Sequence, residues 1–204
     1  LTVNGGDVSV YSYDDCMNAS KSIVINGGNI YCYSSGNDGV DSNGTLTITG
    51  GTIVSIGTTS PEEGFDCDQN TFKITGGTIL GIGGGTSTPT SSVCTQRTVI
   101  YGGSGSKGTL FSIQGSDQVM SYTIPRAYSQ MTLLFSSSKL VSGTTYTIYT
   151  GGSVTGGTEF YGLTVGGIYT AGSQVATFTP GSMVTSVGNV SSGGPGGGGG
   201  GWHW

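Results

Sequence analysis

The sequence predicts an all-β chain wound as a parallel β-helix. Three observations carry that prediction: a recurring Gly-Gly motif, columns of β-branched residues around it, and no helical periodicity. The glycine pairs are Gly5-Gly6, Gly27-Gly28, Gly50-Gly51, Gly76-Gly77 and Gly102-Gly103, spaced 22, 23, 26 and 26 residues apart. Such a period marks stacked-repeat architectures. Aligned on the glycines, Val3, Ile25, Ile48, Ile74 and Ile100 stand two residues before the pair. Leu1, Ile23, Leu46, Phe72 and Thr98 stand four before it, and Val8, Ile30, Ile53 and Ile79 two after it. Residues i and i+2 share one face of a strand, so all three columns are expected to point inward.

Each repeat then reads as one coil. In the third copy a first strand, Leu46-Thr47-Ile48-Thr49, meets a corner at Gly50-Gly51, and a second strand runs Thr52-Ile53-Val54-Ser55-Ile56. Glycine suits the corner because it accepts positive φ, and Thr and Ile suit a pleated surface. A variable loop returns the chain to the next coil. Residues 1–108 are expected to form these coils. From about Leu110 the period gives way to short alternating stretches, among them Val119 to Ile124, Thr132 to Phe135, Tyr146 to Tyr149 and Val175 to Phe178. Residues 109–190 therefore predict a small antiparallel β element closing one end of the coil. Residues 191–204, glycine-rich and ending Trp202-His203-Trp204, are expected to be a flexible tail unless the aromatic tip docks.

Composition alone would allow disorder, with 41 glycines and 8% charged residues in 204. The columns argue for a stacked core instead. No run of 18 apolar residues suggests a membrane span, and no signal-peptide pattern is present. Because Leu1 already occupies a core column, the natural start of the protein is expected upstream of it. A net charge of −5 with six bases disfavours nucleic acid as a partner.

Charge is uneven along the chain. Residues 1–68 hold nine acids against Lys21 alone, and the remainder holds two acids against five bases. Asp15 and Asn18 of the first return loop align with Asp38 and Asp41 of the second. Glu63 and Asp66 of the third align with them in turn. Coils about 4.8 Å apart would stack these carboxylates into a ladder, where like charges repel unless a cation lies between them. Calcium, which takes six to eight oxygens in a flexible geometry, suits the run Asp38-Gly39-Val40-Asp41-Ser42-Asn43-Gly44. The same residue types also populate ordinary turns, where their side chains bond to local backbone.

Four cysteines allow three connectivities. Cys67 and Cys94 align to within one column on neighbouring turns, which suits a bridge, and Cys16 and Cys32 form a second candidate pair. An even cysteine count with few lysines suits an exported protein. No CxxC occurs and the single histidine, His203, lies in the tail, which disfavours zinc. Catalysis is not expected. A lyase would need a base beside the metal, and Lys21 is the only one in the acidic segment. Loop acids, expected to be exposed, would not hold the raised pKa a glycoside hydrolase requires.

The segments Leu46-Thr47-Ile48-Thr49-Gly50-Gly51-Thr52-Ile53 and Phe72-Lys73-Ile74-Thr75-Gly76-Gly77-Thr78-Ile79, with Asn37-Asp38-Gly39-Val40-Asp41-Ser42-Asn43-Gly44 between coils, resemble a bacterial carbohydrate-binding family. That family comprises calcium-loaded right-handed parallel β-helices that bind polygalacturonic acid. The run Tyr146-Thr147-Ile148-Tyr149-Thr150-Gly151-Gly152-Ser153 is similar to its C-terminal segment. The resemblance implies a metal role for Asp15, Asp38, Asp41, Glu63 and Asp66. The first loop departs from the pattern, with Cys16 in place of the glycine and Asn18 in place of the second acid. The loop from Ser92 to Arg97 has no acid at all. Calcium with open positions would take uronate oxygens from an acidic polysaccharide, and Tyr11, Tyr13, Tyr31 and Tyr33, expected to be exposed, would stack on sugar rings. Those tyrosines read equally as an outward ladder on the strands. Location outside the cell, secreted or at the surface, follows from the same likeness. A rival reading takes the uncapped first coil as an edge for head-to-tail stacking into an extracellular fibre, with the tail as connector and Trp202 and Trp204 as anchors.

Overall fold

The computed structural model describes residues 1–170 and 172–191; the tail with its Trp202-His203-Trp204 tip lies outside the described residues. The protein is an all-β solenoid of about four turns. The first coil contains β1 (Thr2–Val3), β2 (Asp7–Ser12) and β3 (Met17–Ala19). The second contains β4 (Ser22–Ile25), β5 (Asn29–Ser34) and β6 (Val40–Ser42). The third contains β7 (Thr45–Ile48), β8 (Thr52–Ile56) and β9 (Phe65–Asp66), and the fourth β10 (Phe72–Ile74) and β11 (Thr78–Gly83). They stack as parallel walls, β1-β4-β7-β10, β2-β5-β8-β11 and β3-β6-β9. No helix is long and apolar enough to cross a membrane among the described residues.

The expected columns are the registers of these walls. Val3, Ile25, Ile48 and Ile74 pair in sequence, as do Val8, Ile30, Ile53 and Ile79. Ile25, Ile48 and Ile74 are fully buried in one apolar cluster. At the corners the second glycine of each pair has φ between 89° and 101° at Gly6, Gly28, Gly51 and Gly77. A Cβ on Gly51 would stand 2.6 Å from the Gly28 carbonyl oxygen of the coil below. Close stacking and positive φ therefore both require glycine there. Beside the corner, Asn26 donates to Asn4 at 2.8 Å and Thr49 donates to Asn26 at 3.0 Å, a polar ladder outside the apolar one.

The fifth Gly-Gly pair departs from expectation. Gly102 and Gly103 lie inside a long extended strand, β12 (Thr98–Gly105), and their backbone does not turn. Ile100 still joins the coil core. The reason for the difference is pairing: Gly102 and Gly103 face Thr132 and Met131 on the strand Tyr128–Ser136, and Gly102 also faces Gly188 on the strand Val184–Gly188, so hydrogen bonds on both sides hold the chain straight. Leu1, placed in the first column, is exposed.

The C-terminal element is antiparallel as expected, except that its last strand (Val184–Gly188) pairs parallel with β12. It comprises β13 (Leu110–Gln114), β14 (Gln118–Thr123), β15 (Tyr128–Ser136), β16 (Tyr146–Thr150), β17 (Ser153–Thr155), β18 (Thr158–Phe160), β19 (Leu163–Val165), β20 (Ile168–Thr170), β21 (Ser173–Phe178) and β22 (Val184–Gly188). Strand β15 pairs antiparallel with β11 and closes the last coil's edge, and β12 and β22 continue that sheet. A second sheet, β18-β19-β14-β13-β16-β21, lies on the outer face of the β5-β8-β11 wall. Tyr31, Val54, Ile56, Leu80 and Ile82 share one buried cluster with Phe111, Ile113, Met120 and Tyr122. That wall is therefore buried on both faces, which explains its near-continuous apolar run.

The four cysteines are free thiols. Cys67 and Cys94 stand on different walls. The Cys67 thiol donates to Asn70 O at 3.5 Å within its own turn, whereas Cys94 lies against β10, taking the Ile74 N–H at 3.3 Å. The expected bridge between them is thus absent. The Cys16 thiol donates to Val10 O at 3.7 Å, and the neighbouring Cys32 thiol draws it below the ordinary thiol range against the opposing effect of burial. Alkylation of denatured, unreduced protein is expected to label Cys67 and Cys94 fully. A peptide map showing the two linked would contradict this arrangement.

Candidate metal centre

The acidic loops fold as rungs of the third wall, the element that sequence reading took for plain loop. Met17, Val40 and Phe65 pair and point into the core, which turns the next position outward, and there Asn18, Asp41 and Asp66 pair in register. Three residues earlier a second ladder runs from coil to coil. The Asp38 N–H donates to Asp15 Oδ1 at 3.1 Å, and the Glu63 N–H donates to Asp38 Oδ1. Asp15 and Asp38 thus each receive a backbone donor from the next coil, so these two acids serve in stacking and stand close for that reason.

Asp15, Asp38 and Asp41 present carboxylate oxygens that all lie within 4.8 Å of one another. Asn18 donates to Asp15 Oδ2 at 2.9 Å and to Asp41 Oδ2 at 2.6 Å, and Asn43 donates to Asp41 at 3.2 Å. These amides satisfy lone pairs without neutralising charge. Asp38 is buried, while Asp15 and Asp41 are half-exposed and open the group to solvent. Glu63 and Asp66 stand one rung further on, outside this cluster. Glu63 is 3% exposed, and its Oε2 is buried with no hydrogen-bond partner. Asp66 Oδ1 accepts from Ser87 Oγ at 3.0 Å and from the Asp68 N–H at 2.9 Å.

Burial and mutual repulsion work in one direction. Desolvation first, then Asp66, Glu62 and Asp15, push Asp38 up to about 8, with the Glu63 N–H opposing. Desolvation first, then Asp15, Asp66 and Asp68, push Asp41 up to about 7. Desolvation first, then Asp66 and Asp38, push Glu63 up to about 9. Asp38 and Glu63 are thus buried, and with Asp41 they have a raised affinity for protons, contrary to the exposed loops expected from sequence. A cation can replace those protons. The donors are all oxygen, which fits a hard ion such as calcium and excludes a thiolate- or imidazole-type site. Asp15, Asp38 and Asp41 would hold it, with the half-exposed side left for water or ligand oxygens.

The tyrosines divide. Tyr11 and Tyr13 are exposed as expected, Tyr13 at 82%, and a Cβ on Gly36 would lie 3.0 Å from the Tyr13 ring. Tyr31 and Tyr33 are not free platforms. The Tyr31 ring stacks on Tyr161 at 3.8 Å beneath the C-terminal element, and Arg126 sits 4.6 Å over Tyr33 while donating to Ser34 O and Thr58 Oγ1. Sequence reading missed Ser87 and Asn43 as partners of the acids. No acid stands in the segment around Ser87 to mark it as part of the acidic wall. No protein-family model, curated protein or solved structure matches this chain.

Proposed function

We propose that this chain is a non-catalytic carbohydrate-binding solenoid that acts outside the cell, gripping acidic polysaccharide of the polygalacturonate type through calcium held by Asp15, Asp38 and Asp41. The observation that carries this reading is the three-carboxylate cluster within 4.8 Å, open on one side. An acidic protein and an acidic polymer meet only across a cation, and uronate oxygens complete the coordination that three aspartates leave unfilled. Tyr13, two residues from Asp15 and exposed, offers a ring face for the sugar beside the ion.

Binding without cleavage is supported by the groups that reach the carboxylates. Asn18, Asn43 and backbone N–H groups are hydrogen-bond donors, none of them a base able to take a C5 proton. Glu63, the acid with the highest pKa, is too buried to protonate a glycosidic oxygen.

Retention on insoluble polygalacturonate is expected in calcium and is expected to vanish with chelator, with no unsaturated product in an absorbance assay. Calcium-independent retention would overturn the bridging role, and product formation would make the protein a lyase. No retention together with filaments in negative stain would favour head-to-tail assembly.

A further inference from the structure

The fifth Gly-Gly pair, released from the corner role, shapes a groove at the other end of the large sheet from the first coil. We propose that this groove is a second, calcium-independent binding site for a short neutral oligosaccharide. Its volume is 680 Å³, and Tyr101, Ser104, Ser129, Gln130 and Asn189 line it. Ser104 and Ser129 also line an adjoining hollow of 440 Å³.

Two glycines make the shape possible. A Cβ on Gly103 would stand 2.7–2.9 Å from atoms of the Tyr101 ring and its hydroxyl, so glycine lets the ring lie along the strand. A Cβ on Gly102 would meet Asn189 O at 2.0 Å, so glycine also lets the segment after β22 close over β12 as a wall. The Tyr101 ring is backed by Phe111 at a centroid distance of 5.1 Å. The Gln130 amide is fixed by donating to Gly84 O at 3.3 Å, which leaves its Oε1 unused by that bond.

The lining decides the ligand class. Among the described residues it combines an aromatic ring with hydroxyls and carboxamides and carries no charged side chain. A charged ligand would find no counter-charge, and an apolar one would leave the hydroxyls and amides unpaired at a cost. A neutral sugar satisfies both parts, its C–H face against the ring and its hydroxyls against the amides, along an open groove.

The test is titration of the full chain in chelator with cellotetraose, xylotetraose and mannotetraose, followed by amide chemical shifts and calorimetry. At least one is expected to bind at roughly millimolar Kd or tighter, moving the amides of residues 101–105, 129–130 and 188–190. Gln130→Ala is expected to weaken that binding about tenfold. Ser104→Arg, at an exposed position, should block the groove without lowering the melting temperature, which keeps the test sound if Tyr101→Ala fails to fold. No shift with any of the three at roughly 10 mM, or binding unchanged in Ser104→Arg and Gln130→Ala, would overturn the proposal. Chelator silences the calcium-held site, so either site can fail without the other.

Discussion

Calcium at 100 times its Kd is expected to stabilise this protein by about 2.7 kcal/mol, because only the folded chain brings Asp15, Asp38 and Asp41 together. For a chain of this length that raises the melting temperature by roughly 5–11 °C. The pH dependence separates this from ordinary turn bonding. In the folded state Asp38, Asp41 and Glu63 have pKa values of about 8, 7 and 9, above the 3.8 to 4.5 of free carboxyls. Without metal the folded chain binds more protons than the unfolded one across that window. Its stability from these groups is therefore full below about pH 4 and is lost as pH rises toward 9. Calcium replaces the protons, so its stabilising effect should grow over the same range. Asp38→Asn with Asp41→Asn keeps the acceptor for the Glu63 N–H but removes two charges. That variant should melt higher than wild type at pH 8 in chelator and gain little from calcium. Thermal melts at pH 5 and pH 8, with and without the ion, check both signs. Equal melting temperatures in all four conditions would leave the acids as turn-bonding residues only.

Ile48→Ala is expected to cost about 2–5 kcal/mol, the range for emptying a buried aliphatic site, and to lower the melting temperature by roughly 4–20 °C. Ile48 is fully buried between Ile25 and Ile74, and neighbours held above and below by the coil spacing cannot collapse into the gap. Thr47, one residue away and facing outward, serves as the control. Thr47→Ala should move stability by no more than about 0.5 kcal/mol. Similar losses at 47 and 48 would contradict the inward column.

The coil was legible in the sequence because its signal is local and repeated. Ile25, Ile48 and Ile74 stand at a fixed distance from a glycine that alone tolerates φ near 100°. The third wall was not legible, because its strands are two or three residues long and its inward positions hold Met17, Val40 and Phe65, three unlike side chains in loops of unequal length. The acids of that wall could be aligned, yet their burial depends on rungs that no single loop reveals. Tyr31 misled for a different reason. Its alternation marks it as outward-facing, and what covers it is Tyr161, 130 residues further on. Gly102-Gly103 repeats the corner dipeptide, but partners on β15 and β22 decide its conformation, and the pair itself carries no trace of them.

The cover that the C-terminal sheet lays over β5, β8 and β11 gives the solenoid a direction. In a stacked array each coil is held by its neighbours, and unfolding spreads from whichever end is held least. Among the described residues β1 and β2 are edge strands of their sheets, and Tyr11 on β2 is in solvent. The third and fourth coils are gripped from above, below and outside, with the Tyr128 hydroxyl reaching the Gly57 carbonyl at 2.8 Å. Amide hydrogens of β8 and β11 should therefore exchange last and those of β1 and β2 first. The acidic cluster spans the first and second coils, on the loosening side of that gradient. An ion seated there would act as a clasp, slowing exchange most in the first coil, which the C-terminal element meets through the Tyr161 hydroxyl donating to Ser9 Oγ at 3.1 Å.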